Sequence, residues 1–151
     1  MKKISYLSLL AILIFFSCTS NNHNREVYEQ RYDNFNEFNR RNLRNKGWFS
    51  NLVSIDAFDL KNDSYLDSFL VFGTHSYTNN KFYDSIFNSP ASKRINISLF
   101  ESQLKKHINR APDWFIKPPE LVSDELVAIQ IQRAYIVRLL KNKKIYYIIS
   151  N

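Results

Sequence analysis

Apolar and polar side chains alternate most regularly over the last thirty residues of the chain. In residues 127–131 the aliphatic side chains stand at every second position, which is typical of a strand with one buried face. Two further apolar runs, 135–140 and 145–149, flank the polar residues 141–144. Because a short polar break between such runs is typical of a tight turn, this pattern predicts a terminal β-hairpin.

The N-terminal part of the chain has a different pattern. Residues 25–44 carry apolar side chains at spacings of one, three, four and five, with charged and amide side chains mostly opposite. This spacing predicts an amphipathic helix, and Gly47 is a good stop signal for it.

Residues 55–77 are predicted to form a β-hairpin, since the part after Asp67 is rich in Phe, Val and Thr. Residues 62–64, Asn-Asp-Ser, are suited to its turn. A helix is the rival interpretation, because four aspartates of this segment stand at helical spacings: Asp56, Asp59, Asp63 and Asp67.

Two shorter helices are predicted over residues 79–87 and about 98–109, followed by a proline-punctuated loop over 112–119. We therefore expect an α+β fold. Its small antiparallel sheet, with the terminal hairpin, would pack against the N-terminal amphipathic helix and one or two short helices. Residues 25–151 are expected to form a single domain.

The first eighteen residues have the features of an export signal. Two lysines precede a run of about ten apolar residues, which is too short to span a bilayer. The run ends in Phe15-Phe16-Ser17-Cys18, which resembles the lipobox of a bacterial lipoprotein signal peptide. The resemblance implies that residues 1–17 are removed, that Cys18 is acylated, and that 18–24 form a lipidated tether. Such a protein would be held on a membrane, which we expect to be the outer membrane of the cell envelope.

The rest of the chain is similar to a pattern found in small bacterial lipoproteins that have no assigned activity. That pattern is W-x-P-x-x-(I/L)-P-x-S-A-x-N-I with a later D-T, and then P-x-W-W before a terminal hairpin. The residues at matching offsets are Trp48, Val53, Ala57, Leu60, Asp67, Ser68, Pro112 and Trp114. Ser50 and Ser54 replace the two prolines of the first motif. The resemblance implies an α+β fold and no particular activity.

Composition excludes several classes of site. Two isolated glycines cannot build a dinucleotide fingerprint or a phosphate-binding loop, and a single cysteine excludes an internal disulfide. We therefore expect no cofactor and no metal. The four aspartates between residues 56 and 67 do not have the spacing of a calcium loop.

His75 is the one histidine that lies in a predicted strand. It could serve a small envelope hydrolase if the fold brought it together with an aspartate and a serine in a concave site. No G-x-S-x-G elbow or other activating context accompanies it, so a structural histidine is the preferred interpretation.

Two other sets of residues could contact a partner. The aromatic pairs that begin at Trp48 and at Trp114, the latter with Phe115, could line a ligand groove, although core packing is the preferred interpretation. The formal net charge is +7. Basic side chains cluster in the terminal turn, at Lys141, Lys143 and Lys144, where a solvated turn is preferred over a contact with an anionic surface.

These observations predict a membrane-anchored lipoprotein that is not an enzyme and acts as a binding or accessory domain in the bacterial envelope. Its expected partners are the membrane, through acylated Cys18, and an envelope protein, and no nucleic acid. Three alternatives remain open: a small hydrolase that uses His75, an immunity-type protein that neutralises a toxin, and an accessory domain that contacts the membrane surface.

Overall fold

The computed structural model describes residues 27–42, 51–122 and 125–151. Its strands form one antiparallel sheet of seven in the order β1-β2-β3-β7-β6-β5-β4. The strands are β1 Val27–Asn34, β2 Ala57–Tyr65, β3 Leu70–Tyr77, β4 Lys93–Arg94, β5 Leu126–Ile131, β6 Ala134–Leu139 and β7 Lys144–Ile149. The helices are α1 Phe35–Arg40, α2 Asn80–Phe87 and α3 Ile97–Lys106, with 3-10 turns at Ile108–Arg110 and Pro118–Val122.

The expected fold, a small sheet packed against an N-terminal helix, is wrong in its proportion of strand to helix and in its first element. About 39% of the described residues lie in strands and about 28% in helices, and the sheet is the main body of the structure. Residues 27–34 form strand β1, which pairs along its length with β2, and only the six residues of α1 are helical in this region. Within residues 27–42 there is thus no long helix against which a small sheet could pack.

The misassignment of β1 has a simple geometric cause. Tyr28 and Tyr32 are four residues apart, and side chains four apart share one face both in a helix and in a strand. The aromatic spacing therefore fits either structure. Pairing with β2, some thirty residues away along the chain, decides in favour of the strand because it supplies the backbone hydrogen bonds.

The first hairpin is present, but its turn lies elsewhere than predicted. Residues 62–64 are inside β2, and the chain turns at 66–69, where Phe69 adopts a left-handed backbone with φ 49°. Asn62 is tolerated inside the sheet because its side-chain amide donates to Gln30 Oε1 at 3.2 Å and to Ser64 Oγ at 2.8 Å.

The C-terminal predictions are confirmed element by element. β6 and β7 form the terminal antiparallel hairpin, and β5 adds to it on the other side of β6. The two predicted short helices correspond to α2 and α3, each with an asparagine N-cap whose side chain accepts a backbone N–H. These elements are local in sequence, which is why the sequence pattern predicts them well.

The central strands are buried on both faces of the sheet. On face one, α3 and the segment 111–122 pack over a cluster that includes Phe72, Val137 and Ile148. On face two, α2 packs over a cluster that includes Ile136 and Tyr147. A smaller cluster around Phe38 joins α1 to β2. Because β7 contributes to both faces, its sequence is a continuous apolar run rather than an alternating one.

Gly73 has a specific structural role on face two. It stands opposite Tyr147 on β7 and opposite Asn62 on β2. With no side chain at Gly73, the ring of Tyr147 lies across β3 and its hydroxyl donates to Asn62 Oδ1 at 3.3 Å. The glycine therefore lets one tyrosine connect three neighbouring strands.

Candidate functional site

A chain of hydrogen bonds on face two joins His75, Tyr83, Ser54 and Asp56. His75 Nε2 lies 2.8 Å from the hydroxyl of Tyr83, which lies 3.1 Å from Ser54 Oγ. The Ser54 hydroxyl in turn donates to Asp56 Oδ1. The chain thus connects β3, α2 and the segment 51–56.

Asp56 is the outer end of this chain and anchors the turn between β3 and α2. Its Oδ2 accepts from the backbone N–H of Asn79 at 2.6 Å, and from the N–H and hydroxyl of Thr78 at 2.9 and 3.1 Å. Burial acts to raise the pKa of Asp56, but the hydrogen bonds from Ser54, Asn79 and Thr78 outweigh it and hold this pKa below its ordinary value. Asp56 is therefore ionised at neutral pH and saturated with donors.

His75 is the inner end of the chain and is 1% exposed. Burial lowers its pKa to about 4, so its ring is neutral at neutral pH. Burial also raises the pKa of Tyr83, whose phenol stays protonated. The Nδ1 atom of His75 is buried and has no hydrogen-bond partner within the described part of the chain.

The fold thus brings His75 together with a serine and an aspartate, but in an order unlike that of a nucleophilic triad. In such a triad the histidine accepts the serine proton and the aspartate orients the histidine. Here Ser54 donates to the carboxylate of Asp56, and His75 reaches only Tyr83. The base that contacts Ser54 is the Asp56 carboxylate, which has a lowered pKa and accepts three further hydrogen bonds, so it is a weak acceptor for the serine proton. The arrangement instead locks three segments together.

A pocket of about 650 Å³ opens over the Ser54–Asp56 end of the chain, and we call it the Ser54 pocket. Its walls combine apolar side chains with polar groups on the rim, a composition common in binding sites. Ile55 is 82% exposed at this surface. The lining residues are Phe35, Asn51, Val53, Ser54, Ile55, Asp56, Asn79, Lys81, Phe82 and Ser85.

Sequence reasoning missed the Ser54 pocket. Its lining comes from three segments that are far apart along the chain, so no local motif marks it. Asp56 was singled out only as one of four aspartates at regular spacing. The one usable local signal was Asn79 at the start of a predicted helix, which marks an N-cap but not a pocket.

The aromatic residues named above have different surroundings. Phe115 is 2% exposed and packs against Phe72 and Tyr146 in the core of face one. Trp114 is half-buried beside it and lines a groove of about 420 Å³. The guanidinium carbon of Arg31 lies 5.2 Å from the centre of the Trp114 ring.

The three lysines of the terminal turn are not equivalent. Lys141 is exposed, whereas the Lys143 ammonium donates to the carbonyl of Thr78 at 2.9 Å. Lys144 lies within β7, and its ammonium is 3.4 Å from Asp59 Oδ2. Lys141 and Lys143 are both exposed, as expected of a solvated turn, although Lys143 also has an intramolecular partner. The expectation is wrong for Lys144, which is half-buried.

The four regularly spaced aspartates are dispersed over the structure. Asp59 pairs with Lys61 and Lys144. Asp63 pairs with Arg31, and Asp67 pairs with Arg110. Across residues 27–42, 51–122 and 125–151, no group of three or more His, Cys, Asp or Glu side chains could hold a metal ion.

Cys18 and Trp48 lie outside the described residues. Acylation of Cys18 stays a prediction, and so do the two interpretations of Trp48, core packing and contact with a ligand. In the parts of the chain that are described, no helix combines the length and the apolar character needed to cross a membrane.

Comparison with known families relates the first strands to an envelope domain. Residues 26–76 match the family of the YbbD head domain, a domain of the periplasmic or envelope type. The match covers β1, α1 and β2 and nearly all of β3. No curated protein and no solved structure matches the chain.

Proposed function

We propose that this protein is a lipid-anchored component of the bacterial envelope that acts by binding and not by catalysis. The match of residues 26–76 to the YbbD head domain supports the envelope location. The observation that carries the binding role is the Ser54 pocket, an open concavity beside a serine, an aspartate and a histidine that already have hydrogen-bond partners. His75 is sealed beneath it, and the Ser54 hydroxyl is committed to Asp56.

The proposed anchor is tested at Cys18. Replacing Cys18 with serine is expected to abolish labelling by a clickable fatty acid and to move the protein from the membrane to the soluble fraction, because the acyl chains of the proposed anchor are then missing. A matched control is Ser17→Ala, which keeps a small residue before the cysteine and should keep both label and membrane association. Unchanged labelling of the Cys18→Ser variant would contradict the anchor.

The chemistry of the Ser54 pocket indicates the kind of ligand that it would take. Phe35, Val53 and Phe82 supply an apolar surface, and Lys81 supplies a positive charge at the rim. The carboxylate of Asp56 is already saturated by four donors, so it adds little attraction for a cation. We propose that the ligand is a segment of an acidic envelope protein that inserts an apolar side chain and places a carboxylate near Lys81.

This proposal predicts a position-specific contact in intact cells. A photo-crosslinking amino acid at Ser85, on the pocket rim, is expected to give a discrete protein adduct. The same amino acid at Ser102, an exposed serine on α3 that does not line the pocket, should give none. The adduct should weaken in the Ile55→Asp and Lys81→Glu backgrounds, which oppose the apolar and the electrostatic parts of the contact respectively. Equal adducts from Ser85 and Ser102, or adducts insensitive to both substitutions, would exclude this pocket as the binding site.

A further inference from the structure

The two edges of the sheet differ in how well they are protected. At one edge, β4 has only two residues, Lys93 and Arg94, and both are basic. Short length and positive charge are common protections of an edge strand against pairing with another chain. At the other edge, β1 has eight residues, contains no proline and pairs with β2 from Val27 to Asn34.

The outer side of β1 therefore differs from that of β4. Within the described ranges, no strand pairs with it, and β2 is its one neighbour in the sheet. An edge strand of this length presents a row of backbone N–H and C=O groups that can pair with another strand. We propose that this edge binds β1 of a second copy of the chain, in antiparallel orientation and centred on Gln30, so that the two sheets join into one.

Backbone geometry restricts how two copies of β1 can pair. Along a strand, successive residues direct their N–H and C=O groups to opposite sides, and two residues directly opposite each other must both direct them inward or both outward. Two identical antiparallel strands can therefore be centred on a residue, but not on the bond between two residues. For β1, the central registers are those centred on Glu29, Gln30 or Arg31.

Charge selects among these registers. Centring on Gln30 places Glu29 of each copy opposite Arg31 of the other, and it aligns residues 27–33, of which Asp33 already donates its backbone N–H to Glu37 Oε2 at 3.0 Å. Centring on Arg31 would place two arginines opposite each other and Glu29 opposite Asp33, and centring on Glu29 would oppose two glutamates. Opposite charges in directly opposed positions are stabilising and like charges are destabilising, so the Gln30 register is favoured.

The side chains concerned are available for this contact. The Glu29 side chain is 66% exposed and lies 3.5 Å from Arg31 of its own chain, a long distance for an ion pair. Arg31 is bound to Asp63 through Nη1, while its Nη2 makes only the long contact with Glu29. The planar guanidinium can therefore donate from Nη2 to a carboxylate of the second copy without releasing Asp63.

The register is tested by disulfide crosslinking of the full chain in intact cells. Two differently tagged copies are expressed together, one with Glu29→Cys and the other with Arg31→Cys. Directly opposed residues lie about 4.5–5.5 Å apart between Cα atoms, which a disulfide can bridge. The control combines Glu29→Cys with Asp33→Cys, which this register offsets by two residues, and a copy with no added cysteine reports any contribution from Cys18. We expect a mixed-tag dimer from the first combination only.

Charge exchange tests the same contact by another route, with the chain extracted in detergent and its mass measured by light scattering. Glu29→Arg is expected to weaken self-association about tenfold, since two attractive pairs become repulsive. Arg31→Glu should act similarly alone. An equal mixture of the two variants should restore the dimer, because each arginine then faces a glutamate. Thermal melts show whether Arg31→Glu, which also loses its Asp63 partner, remains folded.

Several results would overturn the proposal: a wild-type chain that stays monomeric, equal crosslinking in the control combination, or charge variants that associate like the wild type. Failure of two folded variants to form the mixed dimer would also overturn it. If position 29 crosslinks only to a different protein, the edge belongs to another partner and the proposal is wrong. None of these results depends on the Ser54 pocket, since none of its lining residues belongs to β1.

Discussion

Replacing Gly73 with alanine is expected to lower the free energy of unfolding by about 3 kcal/mol or more. The added methyl group would overlap the Cζ, Cε2 and hydroxyl atoms of Tyr147, which is fully buried and cannot swing into solvent. Overpacking a dense core typically costs about 1–3 kcal/mol, and here the obstructing group is a rigid ring rather than the end of a flexible side chain. Equilibrium unfolding in denaturant measures the change.

A double-mutant cycle shows whether the ring is the cause. Tyr147→Leu alone is expected to destabilise the protein, because it leaves a cavity and removes the hydrogen bond to Asn62. In the Gly73→Ala/Tyr147→Leu variant the methyl group has room. The double variant should therefore be more stable than the sum of the two single changes by about 2 kcal/mol. Additive losses would mean that Gly73 is needed for some other reason than the space taken by Tyr147.

Acidification from pH 7 to pH 4 is expected to destabilise the protein by about 3 kcal/mol through His75 alone. The pKa of His75 is about 4 in the folded protein and 6.5 as the ordinary value expected after unfolding. Between these two values the unfolded chain binds a proton that the folded chain does not, so stability falls as the pH falls. Above pH 6.5 the contribution is fully present, and below pH 4 both states are protonated and it changes no further. Each pKa unit corresponds to about 1.4 kcal/mol.

The His75→Gln variant isolates this contribution from that of the carboxylates. It should be less stable than the wild type at pH 7, since the buried polar chain is disturbed, but it should lose less stability between pH 6.5 and pH 4. Asp56 does not interfere in this window, because its pKa lies below the ordinary value of 3.8 and it releases its stabilisation only at lower pH. Parallel denaturant melts across the pH range give the comparison. Identical pH profiles of the two proteins would contradict a buried neutral His75.

The two pairs of residues behind these predictions were visible in the sequence only as single features. Gly73 stood out because glycines are so few, and His75 because it lay in a predicted strand. Neither Tyr147 nor Tyr83 was associated with them, since Tyr147 lies 74 positions away and Tyr83 lies on a different element. The strength of each effect depends on these partners, and only the sheet order places them together.

The site was less predictable than the fold for the same reason. Ser54 and Tyr83 are 29 residues apart and meet because α2 folds back over face two. Trp114 lies in the segment that covers face one, and there it contacts Arg31 of β1. Sequence spacing could suggest Trp114 and the terminal lysines as exposed candidates, but it could not show that Lys143 and Lys144 already have partners.

The sequence by itself determined the elements whose hydrogen bonds and apolar contacts are local: the terminal hairpin of β6 and β7, strand β5, and the capped helices α2 and α3. It also carries the lipobox-like segment, a linear signal that needs no fold to be recognised. Tertiary structure alone decided that residues 27–34 are a strand and that residues 62–64 are not a turn. Side chains four apart fit a strand and a helix equally, and buried asparagines are stable wherever distant partners satisfy them. Both outcomes therefore depend on neighbours that lie far away along the chain.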